Sequence, residues 1–143
     1  MKSSKKLMDA IRDFEGVSLK SYKCPAGVWT IGVGHTRGVR EGQTITSAQV
    51  DSLLKGDLLP CESYVNSLRL SLTQGQFDAL VDFCFNLGET NLGDSTLLKK
   101  VICKASEEEI KKEFSRWVYA GKVKLIGLVR RRNWEAQRYC EKR

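Results

Sequence analysis

Three side chains near the start of the chain carry the groups needed for acid–base chemistry: a carboxyl, a thiol and a hydroxyl. Glu15 is followed after eight residues by Cys24 and after five more by Thr30. A carboxyl that keeps its proton can act as a general acid, and an ionised thiol or a hydroxyl can orient or activate water. The short distances along the chain allow local structure to bring the three groups together. They are the first candidates for a catalytic site.

An amphipathic helix positions the carboxyl. A stripe of apolar residues at helical spacing predicts this helix: Leu7, Met8, Ile11 and Phe14. Gly16 is suited to the left-handed conformation that ends it. Glu15 then lies on the last turn, where the negative end of the helix dipole favours the protonated carboxyl. The sequence therefore predicts Glu15 as a proton donor.

A turn and a strand position the thiol and the hydroxyl. The segment 24–27, Cys-Pro-Ala-Gly, fits a type I turn, because proline suits the second position and glycine the fourth. Alternation from Val28 onward predicts a strand with a core face and a bare face. The predicted core face holds Trp29, Ile31, Val33 and His35. The predicted bare face holds Thr30, Gly32 and Gly34, and its glycines leave room for a ligand to lie against the backbone.

Helix-capping signals divide the rest of the chain. Serine or threonine followed three residues later by glutamine or glutamate predicts a helix start. Such pairs are Thr46 with Gln49, Thr73 with Gln76 and Ser106 with Glu109. Gly88 is predicted to end the second of these helices and Gly121 the third. A short helix is predicted from Ser95 to Ile102, after a turn at 91–94.

The last amphipathic segment covers residues 126–141. Its apolar side chains are predicted to face the core, and its arginines to lie on the polar side. The predicted core residues are Leu128, Val129, Trp134 and Tyr139.

These elements predict an α+β fold that is predominantly helical. A chain of 143 residues suits one domain, 1–143, with two lobes and a cleft between them. The small lobe, about 13–55, would contain a short antiparallel sheet. The larger lobe, about 56–143, would be helical and packed with the N-terminal helix.

Composition limits the environment and the cofactors. No run of about 18 apolar residues is present, so neither a membrane span nor stable membrane insertion is expected. The positive N-terminus is followed by charged residues instead of an apolar segment, so no signal peptide is expected and synthesis is predicted to be cytoplasmic. Five cysteines, an odd number, favour free thiols. Cys24 and His35 would supply only two of the ligands that zinc needs, so no metal is expected, and His35 is predicted to be structural.

The net charge of +7 would draw the protein to polyanions such as bacterial cell wall, anionic lipid or nucleic acid. Arginine and lysine are denser at 130–132 and 138–143. The sequence contains no recognised nucleic-acid-binding motif, so nucleic acid is not the expected partner.

The spacing of Glu15, Cys24 and Thr30, with Ile-Gly-Val-Gly-His-Thr at 31–36, closely resembles the signature of bacteriophage-type lysozymes, the muramidase endolysins of glycoside hydrolase family 24. The resemblance continues through 73–80, 83–88, 95–98 and 127–132, which is nearly the full chain. It implies a lysozyme-like fold and hydrolysis of the β-1,4 bond between N-acetylmuramic acid and N-acetylglucosamine in bacterial peptidoglycan. Glu15 would be the general acid, and Thr30 would position the attacking water.

The chain departs from the family pattern at Cys24, where many members carry aspartate. Cys24 would act as the base or as a group that orients water. Asn86 matches a position that contacts substrate in the family. Gly32 and Gly34 would also contact substrate. Arg131 could reach Glu15 from the last helix, in preference to Arg130 or Arg132. The resemblance also implies a monomer without a cofactor, held in the cytoplasm until a holin opens the inner membrane and gives access to the wall.

The sequence leaves two other classes of protein open. A lytic transglycosylase needs the acid but no water, so Thr30 and Cys24 count against it. A non-enzymatic module that binds wall or nucleic acid would use the basic surface alone. Product analysis and a binding titration separate these alternatives from a hydrolase.

Overall fold

A computed structural model describes residues 1–142, and Arg143, at the end of the predicted helical lobe, lies outside the described residues. Within this range the chain forms seven helices and four short strands. In chain order they are α1 (Lys5–Glu15), β1 (Ser18–Lys23), β2 (Trp29–Gly32), α2 (Ser47–Ser67), α3 (Gln74–Leu87), α4 (Glu89–Asp94), α5 (Thr96–Ile102), α6 (Glu107–Ser115), β3 (Tyr119–Ala120), β4 (Val123–Lys124) and α7 (Ile126–Cys140). The predicted α+β class with a helical majority is confirmed.

The chain divides into two compact units. The sheet unit is Lys5–Pro60, and the helical unit is Met1–Ser4 together with the chain from Cys61 onward. The boundary falls within α2, next to Pro60. The N-terminal helix α1 belongs to the sheet unit, whereas the sequence grouped it with the helical lobe. An ion pair from Arg12 of α1 to Asp51 of α2 contributes to this grouping, and the single-domain assignment stays a prediction.

The sheet unit contains the predicted antiparallel sheet. Strands β1 and β2 pair with Tyr22 opposite Thr30 and Ser18 opposite Gly32, and the register shifts between these two pairs. A further bridge joins Lys20 to Thr44. The apolar face of α1 is buried, with Leu7, Met8, Ala10 and Ile11 in the core.

The helical unit has α3 at its centre, as its apolar sequence predicted. Phe77, Leu80 and Phe83 of α3 are fully buried. Phe83 makes edge-to-face contacts with Phe114 and Trp117, at ring-centroid distances of 6.1 and 5.3 Å. Such contacts give aromatic pairs a defined geometry as well as buried area.

The predicted capping boxes of α2 and α3 both form. Thr46 and Gln49 exchange hydrogen bonds of 2.8 and 3.2 Å before α2. Thr73 and Gln76 do the same before α3, and Gly88 ends α3 with φ +93°. The hydroxyl groups of Ser95 and Ser106 cap α5 and α6 by accepting backbone N–H groups.

Two local predictions are wrong. Residues 91–94 lie in helix α4, not in a turn. Helix α6 ends at Ser115, and Gly121 lies in the turn of a β3–β4 hairpin, where its φ is +61°. Glycine suits both a helix end and a tight hairpin turn, so its type alone could not distinguish them.

The prediction that the arginines of α7 lie on its polar side is wrong for Arg131 and Arg132. Their side chains are buried, with exposed fractions of 4% and 1%. Both pair with acidic residues of the helical unit, which makes burial of the guanidinium groups tolerable. Arg131 pairs with Asp82, which lies 49 residues away, and Arg132 with Glu135 on the next turn of α7; sequence periodicity shows neither that the distant partner is near nor that these groups are buried.

Candidate active site

Glu15 lies where the sequence placed it, on the last turn of α1. Gly16 follows with φ +74°, and its N–H donates to the carbonyl of Arg12 at 2.8 Å, which ends the helix. Glu15 is solvent-exposed. Its carboxyl lies against Gly34, because a β-carbon built on Gly34 would stand 3.3 Å from Glu15 Oε1. The bare backbone of Gly34 thus leaves the space that the carboxyl occupies.

The glycine segment is a turn and not a continuous strand. β2 ends at Gly32, and Ile31 and His35 exchange backbone hydrogen bonds of 2.9 and 3.0 Å across three intervening residues. Gly32 and Gly34 have φ values of +65° and +69°, which only glycine adopts without strain. The predicted alternation through Val33 and His35 is therefore wrong.

Of the two predicted faces, Ile31 and Val33 of the core face are buried as predicted, but the predicted bare face is wrong. Thr30 is 4% exposed and Gly32 is buried, so neither lies on an open face. A β-carbon on Gly32 would meet Ile45 Cδ1 at 3.5 Å and Leu53 Cδ1 at 3.9 Å. Gly32 therefore lets apolar side chains pack against the backbone, and Gly34 alone of the two borders the carboxyl of Glu15.

Cys24 opens the connection between β1 and β2. The N–H of Gly27 donates to the carbonyl of Cys24 at 2.8 Å, which closes the predicted four-residue turn. The backbone N–H of Val28 lowers the pKa of the partly exposed Cys24 thiol by hydrogen bonding to it. The N–H of Ala26 and the hydroxyl of Thr30 act in the same direction, against the opposing effect of burial. These donors favour the thiolate, the form able to accept a proton.

Thr30 lies next to this thiol on β2. Its hydroxyl donates to the carbonyl of Val28 at 3.0 Å and also lies within hydrogen-bonding reach of Cys24. A hydroxyl has one proton, so these two acceptors compete for it. The structure thus brings together Cys24 with Thr30, and Glu15 with Gly34, within the sheet unit.

His35 is held on both ring nitrogens. Nδ1 lies 2.8 Å from Asp57 Oδ2, and Nε2 donates to the carbonyl of Arg37 at 2.9 Å. Its side chain is 13% exposed. These contacts agree with the predicted structural role, since they tie the glycine turn to α2.

The remaining predicted site residues lie in the helical unit. Arg131 donates to Asp82 through Nε at 3.0 Å and through Nη2 at 2.7 Å. Asn86 accepts a 2.6 Å hydrogen bond from Arg132 through its side-chain oxygen. The predicted approach of Arg131 to Glu15 stays a prediction.

Sequence reasoning missed the acidic members of this group, Asp82 and Glu135, which are both fully buried. Burial and a hydrogen bond to Asp82 raise the pKa of Glu135 well above its ordinary value. Burial opposes ionisation of Asp82 too, but the hydrogen bonds from Glu135 and Arg131 lower its pKa overall. These shifts favour the protonated form of Glu135 and the ionised form of Asp82. An aspartate within the apolar run of α3 was the signal in the sequence.

Within residues 1–142, no helix combines the length and apolar composition needed to cross a membrane. The same residues contain no cluster of three or more histidine, cysteine, aspartate or glutamate side chains able to hold a metal ion.

Comparison with known proteins gives consistent matches. Residues 12–135 match the phage lysozyme family. The endolysin of Acyrthosiphon pisum secondary endosymbiont phage 1 is 36% identical over 140 residues, covering 94% of this chain and 95% of the relative. The endolysin of Salmonella phage P22 is 40% identical over 128 residues, covering 85% and 87%. The solved muramidase domain of SpmX from Asticaccaulis excentricus aligns with a TM-score of 0.89 and 38% identity over 99% of both chains.

Proposed function

The chain belongs to the phage lysozyme family, and from this premise we propose that it is a peptidoglycan-hydrolysing endolysin whose catalytic groups are Glu15, Cys24 and Thr30. The bond cleaved is the β-1,4 link between N-acetylmuramic acid and N-acetylglucosamine. One observation carries the assignment of roles: Cys24 opens the turn that leads into β2, where the neighbouring Val28 N–H and Thr30 hydroxyl lower the pKa of its thiol.

Glu15 is the general acid. Its carboxyl transfers a proton to the bridging oxygen as the bond from that oxygen to C1 of the muramic acid breaks, so the N-acetylglucosamine leaves as an alcohol. The exposed carboxyl lies beside Gly34, which has no side chain to block a sugar from approaching it.

Cys24 is the base. Its thiolate accepts a proton from a water molecule, whose oxygen bonds to C1 on the face opposite the leaving group. Thr30 orients this water, since its hydroxyl can exchange between the Val28 carbonyl and the thiol. Return of the proton from Cys24 to Glu15 through solvent restores the starting state.

Direct attack by water inverts the configuration at C1 and needs room between acid and base, roughly 6.5 to 9.5 Å. We propose this inverting scheme over a covalent intermediate, for which the two groups would stand only about 5 Å apart.

Substrate contacts outside the reacting groups are also proposed. Asn86 would offer its amide nitrogen to a sugar, because its side-chain oxygen accepts from Arg132. Arg131 is held rigidly by two hydrogen bonds to Asp82, which suits a positioning role toward Glu15. Gly34 would border the substrate. Gly32 would act indirectly, through the turn that it forms together with Gly34.

Membership of the family supports a proposal about partners and location. We propose that the enzyme works as a monomer without a cofactor. It would stay in the cytoplasm of the host cell until a holin opens the inner membrane.

Replacing Glu15 with glutamine tests the assignment. Glu15→Gln removes the transferable proton, so the loss of turbidity of purified peptidoglycan should slow at least about 100-fold. Asp13→Asn is the matched control, because Asp13 is another exposed carboxyl of α1, two residues away. Both variants should unfold at the temperature of the unmodified protein.

Mass analysis of the fragments tests the reaction type. Hydrolysis leaves a reducing N-acetylmuramic acid end, and a lytic transglycosylase would leave an anhydro sugar. Full activity of Glu15→Gln, or anhydro products, would contradict the proposal.

A further inference from the structure

Residues 119–126, which include β3, β4 and the first residue of α7, form the 119–126 hairpin. This hairpin exposes an unusual concentration of large apolar side chains. Tyr119, Val123, Leu125 and Ile126 are 57%, 61%, 42% and 81% exposed. Soluble proteins tolerate single exposed apolar residues, but a group of them indicates a contact surface.

The hairpin is exposed on both faces. Tyr119 pairs with Lys124 and Ala120 pairs with Val123, so these two pairs point to opposite faces of the ribbon. All four residues are exposed. Gly121 and Lys122 form the two-residue turn between the strands and are exposed too. The tip of the ribbon is thus available to a partner from either side.

The positive charge of the 119–126 hairpin favours an anionic partner. Lys122 and Lys124 stand among the apolar residues, and no aspartate or glutamate occurs from Arg116 to Trp134. Arg130 is exposed just after the hairpin. An apolar ribbon flanked by lysines is suited to an interface that is anionic at its surface and hydrocarbon beneath it.

We propose that the 119–126 hairpin binds peripherally to an anionic lipid bilayer, such as one rich in phosphatidylglycerol. Val123, Leu125 and Ile126 enter the boundary between headgroups and acyl chains, Tyr119 lies at the headgroup level, and the two lysines contact lipid phosphates. Three aliphatic side chains gain little from a hydrated polysaccharide, which is bound through polar and aromatic groups. A second copy of this basic chain would be repelled.

Flotation with vesicles tests the proposal. The unmodified protein should float with vesicles of phosphatidylglycerol and phosphatidylethanolamine but not with phosphatidylcholine alone. The triple variant Val123→Ser, Leu125→Ser, Ile126→Ser should bind at least about tenfold more weakly. Lys122→Gln with Lys124→Gln should lose about fivefold per lysine.

Matched controls lie elsewhere on the surface. Leu59, which is 59% exposed on α2, is replaced by serine, and the exposed Lys55 by glutamine. Both controls should bind vesicles as the unmodified protein does, and so should Glu15→Gln, which separates this test from that of the catalytic site. Circular dichroism verifies that each variant is folded, and the lysine pair keeps the test valid if the triple variant unfolds.

Three results would overturn the proposal. The first is the absence of binding to anionic vesicles. The second is an equal loss of binding in the hairpin variants and in the controls, which would indicate general attraction of a basic protein. The third is hairpin variants that keep vesicle binding but lose binding to purified peptidoglycan, which would assign the hairpin to the wall.

Discussion

At the scale of single residues, the candidate site depends on backbone groups as much as on side chains. The Cys24 thiol is stabilised in its ionised form first by the N–H of Val28. The carboxyl of Glu15 occupies the space beside Gly34. A backbone N–H and a missing side chain are not visible as a chemical motif, although the turn and glycine pattern around Cys24 and Gly34 marked where they would occur.

Adding one methyl group at Gly34 should separate its backbone role from its role beside the acid. Gly34→Ala puts a β-carbon 3.3 Å from Glu15 Oε1, and it also strains the backbone at φ +69° by about 1–2 kcal/mol. Gly38→Ala is the matched control, because Gly38 has φ +71° with no atom within 4 Å of the added carbon. We expect similar losses of stability, measured by urea unfolding.

Activity should differ between these two variants. Displacement of Glu15 in Gly34→Ala should slow wall digestion at least about tenfold, whereas Gly38→Ala should keep its rate. Equal rates would show that contact with Gly34 does not position the acid.

The base role of Cys24 predicts a pH dependence. A base works when deprotonated, so activity should rise as pH rises through the pKa of Cys24, which lies below the ordinary 9.0. Cys24→Asp should stay active and retain its rate to lower pH, because aspartate ionises near about 3.9. Cys24→Ala should lose most activity. The rate of peptidoglycan digestion is measured across pH for all three proteins.

Two outcomes at Cys24 would contradict the base role. Identical pH profiles for the unmodified protein and Cys24→Asp would show that this thiol does not set the rate. Loss of activity in both Cys24→Asp and Cys24→Ala, with unchanged stability, would indicate covalent chemistry at the sulfur.

At the scale of elements, the capping signals were the most dependable part of the sequence. Helices α2, α3 and α6 begin after the threonine or serine predicted to cap them, and α5 begins one residue after its predicted start at Ser95. A cap works through bonds within four residues, so local sequence suffices to specify it. Two errors fell at 31–35 and 119–124, where tight turns were taken for a continuous strand and a helix end, and a third at 91–94, where helix α4 was taken for a turn.

The capping box of α3 predicts a loss of stability without a loss of catalysis. The Thr73 hydroxyl accepts from the N–H of Gln76 at 3.1 Å, and the N–H of Thr73 donates to Gln76 Oε1 at 2.9 Å. Thr73→Ala should lower the free energy of unfolding by about 1 kcal/mol, and Thr73→Ser should restore most of it. Urea unfolding measures both, and a serine variant as unstable as the alanine variant would argue against the hydroxyl bond.

At the scale of the whole molecule, buried charges in the helical unit were the least predictable feature. Asp82 of α3 lies 49 residues before its partner Arg131 of α7. Glu135 and Arg132 lie one turn apart on α7, with Arg132 Nε 2.8 Å from Glu135 Oε1. Each is a surface residue by type, and only the tertiary structure shows that all four are buried.

Glu135 predicts a specific dependence of stability on pH. Its folded pKa is raised, so above its ordinary 4.5 the folded protein holds a proton that the unfolded chain releases. The contribution of Glu135 to the free energy of unfolding therefore falls as pH rises toward its folded pKa. Glu135→Gln cannot ionise and should lack this fall, while the lowered pKa of Asp82 acts in the opposite direction in both proteins.

Urea unfolding of both proteins over a range of pH measures this effect. The stability of Glu135→Gln minus that of the unmodified protein should increase steadily as pH rises above 4.5. A difference that stays constant with pH would show that Glu135 is not held in its protonated form.

The sequence by itself determined what local interactions control: the helix that carries Glu15, the turn that opens at Cys24, and the capped helix starts. It also carried the spacing that matches the phage lysozyme family. Only the tertiary structure decided that both faces of β2 are buried, that 32–34 is a turn beside the acid, and that Arg131 and Arg132 are internal. The physical reason is that caps and turns depend on neighbouring residues, whereas burial and ion pairing depend on groups that folding brings from distant parts of the chain.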